Sequence, residues 1–254
     1  MIKKENFHKV LEQLGFKKSK NIYSKKFSEF KTELKVDFEK EELIYPEKDG
    51  LTVNERQTCN FKQAENFVVF ESVHRLLNQG YNPKHIELEP KWQVGHGASG
   101  GRADILVKDN DDNALLIIEC KTAGNEFTKA WKTTQVKPTQ LFTYIQQERS
   151  TKFIALYTSD FVDNTVQSNY YLINVSDNEK LLENNTKLKA YKDAHTVDDL
   201  YKVWVETYQK DYATIGLFED NQPYDIGKSK YSLADLKTVT SRDIKGNTMN
   251  LLRL

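Results

Sequence analysis

The run Leu115-Leu116-Ile117-Ile118-Glu119-Cys120-Lys121 carries four large apolar residues into an acid and a base, and Asp104 precedes them in a second short apolar segment. Four consecutive apolar side chains predict a strand buried on both faces. Side chains alternate along a strand, so Glu119 and Lys121 share one face, about 7 Å apart by rise per residue, while Cys120 points the other way. Two carboxylates and an ammonium gathered at a strand end suit phosphodiester hydrolysis. Paired carboxylates hold a hard cation such as Mg²⁺, which keeps positions open for phosphate oxygens. The cation polarises phosphorus and activates a water, and the lysine stabilises charge building on the phosphate. Without chemistry, the same residues are a solvated strand end with an incidental ion pair. Spacing does not decide between these, because Glu-x-Lys also occurs at Glu29/Lys31, Glu33/Lys35 and Glu89/Lys91. The apolar strand before Glu119 and the placement of Asp104 favour the chemical reading.

The elements around this run are what must position it. Ala103–Lys108 and Ala114–Cys120 read as strands joined by the turn Asp109-Asn110-Asp111-Asp112-Asn113, a strong hairpin signal. Folding that hairpin sets Asp104 opposite Ile118 or Glu119. Upstream, Phe67, Val68, Phe70, Val73, Leu76 and Leu77 recur at helical spacing over Glu65–Asn78, and Gly80 ends the helix. A strand around His85–Trp92 and a glycine-rich turn, Gly95 to Gly101, follow. Downstream, a connector carrying Trp131 leads past Pro138 into a helix over Thr139–Arg149, then strands at Phe153–Thr158 and Tyr170–Val175. A helix between Ala114–Cys120 and Phe153–Thr158 implies a parallel crossover. Gln140 and Tyr144 lie four apart and share a face of that helix. There they reach a nucleic-acid backbone, brace a metal shell, or simply pack the helix on the sheet.

Gly95-His96-Gly97-Ala98-Ser99-Gly100-Gly101-Arg102 matches a dinucleotide-binding pattern only formally, since a strand follows it and not a helix. His96 and Ser99 lack a spaced acid partner for a serine hydrolase. Cys59 and Cys120 are too few for a disulfide framework or a structural zinc site and read as buried thiols.

Three ordered motifs together resemble a known family. Gly101-Arg102-Ala103-Asp104, Leu116-Ile117-Ile118-Glu119-Cys120-Lys121-Thr122 and Gln140-x-x-x-Tyr144 are similar to the N-terminal nuclease domain of type I restriction enzyme R subunits, also found fused to adenine methylases. The stretch from Glu65 through Pro83 and His85–Glu89 is similar too, so the resemblance covers about residues 60 to 160. It implies a PD-(D/E)xK fold and Mg²⁺-dependent cleavage of double-stranded DNA, with Mn²⁺ as a substitute. It places Asp104, Glu119 and Lys121 in the active site with Gln140 and Tyr144, and Arg102, Gln140 and Tyr144 against DNA. Such folds often add an acid from the first core helix as a metal ligand, a role for which Glu65 and Glu71 compete, Glu65 sitting better against the motif. No phosphate-binding loop and no methyltransferase motif is visible in the sequence. The resemblance therefore implies a nuclease portion working with methyltransferase, specificity or motor parts in one polypeptide or complex. The alternatives are an inactive DNA- or protein-binding module on the same fold and a repair or mobile-element nuclease.

Composition sets the outer bounds. The 254 residues are 38% apolar and 29% charged, with 13 Phe and 13 Tyr, which predicts a folded, polar-surfaced chain with a sizeable core. Net charge is zero, with 37 basic against 37 acidic residues, so nucleic-acid contact must come from local patches. Lys17, Lys18, Lys20, Lys25 and Lys26 are one such candidate, or else a solvated face. No membrane-length apolar run is present, and the charged start has no signal-peptide pattern, which predicts a cytoplasmic protein. The expected architecture is α/β (α+β), a mixed central sheet flanked by helices over 59–178. Residues 1–58 are expected to add a helix (Lys3 to Leu14) and a hairpin (Lys35–Phe38 with Leu43–Tyr45), joined on by a polar connector from Pro46 to Arg56. Residues 179–254 are expected to be helical at Glu179–Leu188 and Val197–Asp211, and loop-like from Phe218.

Overall fold

A computed structural model describes residues 1–92, 102–109, 111–175 and 189–207, together with the paired segments Pro223–Ile226 and Ser229–Ser232. The chain is α+β. Its centre is a mixed six-stranded sheet in the order β10-β9-β8-β7-β6-β5. These strands are β5 (Thr52–Val53), β6 (Ile86–Leu88), β7 (Ile105–Lys108), β8 (Ala114–Cys120), β9 (Phe153–Val162) and β10 (Thr165–Asn174). All seven residues of β8 are buried, as expected for a strand covered on both faces. It pairs antiparallel with β7 and parallel with β9.

The crossover from β8 to β9 contains two helices, α3 (Asn125–Thr134) and α4 (Gln140–Gln147). The stretch around Trp131, expected as a connector, is thus helical. Its apolar residues Phe127, Ala130 and Trp131 make one short stripe, and Trp131 stacks on Tyr171 of β10 with ring centroids 4.0 Å apart and planes within 5°. Packing of that aromatic pair outweighs the weak helix propensity of three threonines in ten residues.

On the opposite face, α2 (Glu65–Asn78) packs against β8 and β9. It stops at Gly80, whose positive φ of 89° lets Tyr81 N–H bond back to Leu76 and Gly80 N–H to Leu77. The N-terminal unit consists of α1 (Lys4–Gln13) and a four-stranded antiparallel sheet of β1 (Lys17–Ser19), β2 (Ile22–Phe27), β3 (Thr32–Asp37) and β4 (Glu42–Ile44). It shares its core with the rest of the chain: Phe7 of α1 lies 4.5 Å, centroid to centroid, from Phe67 of α2. β5, which falls within the first 58 residues, is the edge strand of the central sheet.

Strands β9 and β10 run past the expected ends and meet at a two-residue turn, Asp163–Asn164, both with positive φ as a tight hairpin requires. The last described helix, α5 (Val197–Thr207), packs on α4. The tail expected to be loop-like contains an antiparallel pair, β11 (Pro223–Ile226) and β12 (Ser229–Ser232). Pro223 misled that reading, since proline is tolerated as the first residue of a strand. The turn Gly95 to Gly101, with His96 and Ser99, and the helix at Glu179–Leu188 lie outside the described residues. Among the described residues no helix is long and apolar enough to cross a membrane.

Candidate active site

Register decides which residues meet. Ile105 of β7 pairs with Ile118 of β8, so Asp104, one residue earlier, falls beside Glu119. Asp104 Oδ2 accepts a 2.6 Å hydrogen bond from the backbone N–H of Cys120. Lys121 leaves the end of β8 with its own N–H bonded to the Tyr157 carbonyl of β9 at 2.8 Å. Its ammonium then turns back to Glu119 Oε1, 2.7 Å away, and to the Cys120 carbonyl at 2.9 Å. Glu65, the first residue of α2, reaches the same ammonium at 3.4 Å. The sheet end and the start of α2 thus bring three carboxylates around one lysine.

These groups share a cleft of about 410 Å³ whose lining also includes Gln57, Gln63, Glu89 and Gln140. Asp104 lines it, and its pKa is raised well above the ordinary aspartate value, first by burial and then by Glu119 and Glu65. Glu65 is raised as well, again by burial first, despite the opposing effect of Lys121. Burial disfavours the Lys121 ammonium, but Glu119 and Glu65 together outweigh it and hold the lysine above its usual pKa. The lysine is therefore a cation at neutral pH, and the acids are short of positive charge.

The donor set fits a hard divalent cation in its chemistry: oxygen ligands only, with excess negative charge that such an ion would relieve. Among the described residues no group of three His, Cys, Asp or Glu side chains stands ready to hold a metal. Here Lys121 Nζ lies between the Glu119 and Glu65 carboxylates.

Tyr144 is fully buried and does not face any surface DNA could reach. Its hydroxyl lies 2.8 Å from Glu119 Oε2 and 2.7 Å from the Arg102 carbonyl. Burial and then Glu119 hold that hydroxyl far above the ordinary phenol pKa, so it stays a donor. Gln140 is exposed at the cleft, and its amide donates to the same carbonyl at 3.2 Å. The Gln-x-x-x-Tyr pair therefore clamps the backbone two residues before Asp104 and braces Glu119. The Arg102 guanidinium is paired with Glu55.

The two acids competing on α2 separate cleanly. Glu71 is fully buried away from the cluster, bonded to Arg75 at 2.7 Å and to the Tyr157 hydroxyl at 2.5 Å. Glu65 alone of the two joins Asp104, Glu119 and Lys121.

Sequence reasoning passed over Glu89. This residue directly follows β6 with φ 52°, a left-handed conformation costing a non-glycine residue roughly 1–2 kcal/mol. Its N–H donates to the Asp104 carbonyl at 3.0 Å. Its carboxylate accepts the backbone N–H groups of Glu55 at 2.8 Å and Thr58 at 2.7 Å. Glu89 thereby ties the Asp104 backbone to the loop forming one wall of the cleft. Its sequence signals were a Glu-x-Lys pair with Lys91 like several others in the chain and a place at the end of the His85–Glu89 stretch.

Of the five lysines of the candidate basic patch, Lys17, Lys18, Lys20 and Lys26 are exposed. Lys25 turns inward, donating to the Leu14 carbonyl at 2.8 Å and meeting His74 Nε2 at 2.7 Å.

No protein-family model matches the chain, and no curated protein is significantly similar to it.

Proposed function

We propose that this chain is a divalent-metal-dependent DNA endonuclease of the PD-(D/E)xK type, the nuclease part of a restriction–modification system. The observation that carries this reading is the meeting of Asp104, Glu119, Glu65 and Lys121 at the end of β8. The element order supports it as well: a helix (α2), an antiparallel run of strands (β6, β7, β8), a crossover helix (α4) and a strand parallel to β8 (β9).

Asp104 and Glu119 would hold Mg²⁺ or Mn²⁺, with Glu65 as a further ligand, and the ion supplies Lewis acidity toward the phosphodiester and a more acidic water. Lys121 keeps its proton and offers a fixed positive charge where negative charge builds on the phosphate. Tyr144 fixes one oxygen of Glu119, leaving the other facing Lys121. Gln140, bonded to the Arg102 carbonyl, and Glu89, bonded to the Asp104 carbonyl, hold the segment that leads into β7. Arg102 meets a DNA phosphate by exchanging Glu55 for it. Site choice falls to methyltransferase, specificity or motor parts in the same polypeptide or complex.

Titration with Mn²⁺ by calorimetry tests the reading. Wild type should bind and Asp104→Ala should not. Equal binding by both would remove Asp104 from the metal site.

A further inference from the structure

A second groove of about 290 Å³ opens off the carboxylate cleft between α3 and α4, sharing Glu119, Lys121 and Gln140 with it. Its far wall is made by Glu126, Lys129, Ala130 and Thr133 of α3, with Thr139 just before α4. Small and hydroxylated side chains keep this wall low and offer hydrogen-bond donors without charge. Lys129 is exposed, and among the described residues it has no carboxylate partner. Residues 125–139 hold three lysines against the single acid Glu126; Lys129 and Glu126 line the groove, while Lys132 and Lys137 lie outside its lining and make the surrounding flank basic. An excess of positive charge beside an acidic catalytic cluster is the complement of a polyanion whose one phosphate enters the cluster while its neighbours lie outside it.

We propose that this groove is a second subsite, holding the sugar-phosphate backbone on one side of the scissile bond, with Lys129 contacting the adjacent phosphate. The subsite rests on the nuclease reading and extends it to the flanking strand. Thr133 and Thr139 supply hydroxyls to phosphate or sugar oxygens, and Ala130 leaves room for the backbone to pass. Such contacts position the strand without reading its sequence.

The test is binding of a short DNA duplex, with Ca²⁺ replacing Mg²⁺ to prevent cleavage, across a series of salt concentrations. Wild type is compared with Lys129→Glu, Lys129→Arg and Lys40→Glu, the last making the same charge change in the turn between β3 and β4. Lys129→Glu should weaken binding equally on unrelated sequences and lower the salt slope by about 1. Lys129→Arg should keep wild-type behaviour, as should Lys40→Glu, and Mn²⁺ affinity should be the same in all four. Lys129→Glu with the affinity and slope of wild type would overturn the subsite alone. Absence of Mn²⁺ binding by wild type would overturn the nuclease reading and the subsite together.

Discussion

The Tyr144 hydroxyl stands 2.8 Å from Glu119 Oε2 and 2.7 Å from the Arg102 carbonyl, so one buried side chain from α4 touches both β8 and the segment that carries Asp104 into β7. Glu119 is thereby held between two donors, Tyr144 on one oxygen and Lys121 on the other. That arrangement fixes the carboxylate before any ligand arrives.

Tyr144→Phe removes the hydroxyl and leaves Glu119 Oε2 without its donor, while the Arg102 carbonyl keeps only the longer bond from Gln140. It should lower stability by about 1–3 kcal/mol. Metal-dependent cleavage should fall by roughly 10-fold or more, as for loss of a group that orients a metal ligand. Urea unfolding and a cleavage assay on one preparation check both. Activity unchanged in a destabilised protein would make Tyr144 a packing residue only.

Asp104 makes a prediction of opposite sign for stability. Its raised pKa means that the folded state binds more protons than the unfolded state, between the ordinary aspartate value and the raised one. Stability is therefore lost as pH climbs through that window. In the presence of a chelator, Asp104→Asn should melt higher than wild type at neutral pH while being inactive. Adding Mn²⁺ should raise the melting temperature of wild type and not of the variant. A variant less stable than wild type in chelator would contradict the electrostatic account of the site.

Glu65→Gln and Glu71→Gln should fail in different ways. The first should weaken Mn²⁺ binding with little effect on folding, because Glu65 is partly exposed at the cleft. The second strips the charge of the fully buried carboxylate paired with half-buried Arg75 and should cost about 3 kcal/mol or more of stability with metal affinity intact. Calorimetry and denaturant unfolding separate the two, and a loss of metal binding in Glu71→Gln would reverse the assignment.

The sequence was most legible where the signals are local. The turn at Asp109–Asn113 and the apolar run into Glu119 defined the β7–β8 hairpin, and pairing of Ile105 with Ile118 settled its one-residue ambiguity. The choice between Glu65 and Glu71 was not legible, because both sit on one helix and only its docking against β8 and β9 turns one toward the cleft. Helix α3 was missed because its stability comes from Trp131 stacking on Tyr171, forty residues away, and not from propensity. Glu89 was missed for a related reason: its partners, Glu55 and Thr58, are backbone groups on a loop that only the fold brings near.

His74 gives a pH effect far from the cleft. Burial, then Lys25 and Arg75, push its pKa down to about 3. The unfolded chain thus takes up a proton that the folded one refuses. Stability is full above the ordinary histidine pKa and falls as pH drops below it toward 3, by about 1.4 kcal/mol per pH unit from this group. Urea midpoints at pH 7 and pH 5 should differ more in wild type than in His74→Leu. Equal differences would show that His74 does not titrate as its burial implies.

The most direct test of the central claim is nicking of supercoiled plasmid with Mg²⁺ or Mn²⁺ by wild type, Asp104→Ala and Lys121→Ala. Metal-dependent nicking by wild type, abolished in both variants, is the predicted result. Nicking that survives in either variant, or a wild type that neither nicks DNA nor binds Mn²⁺, would contradict it.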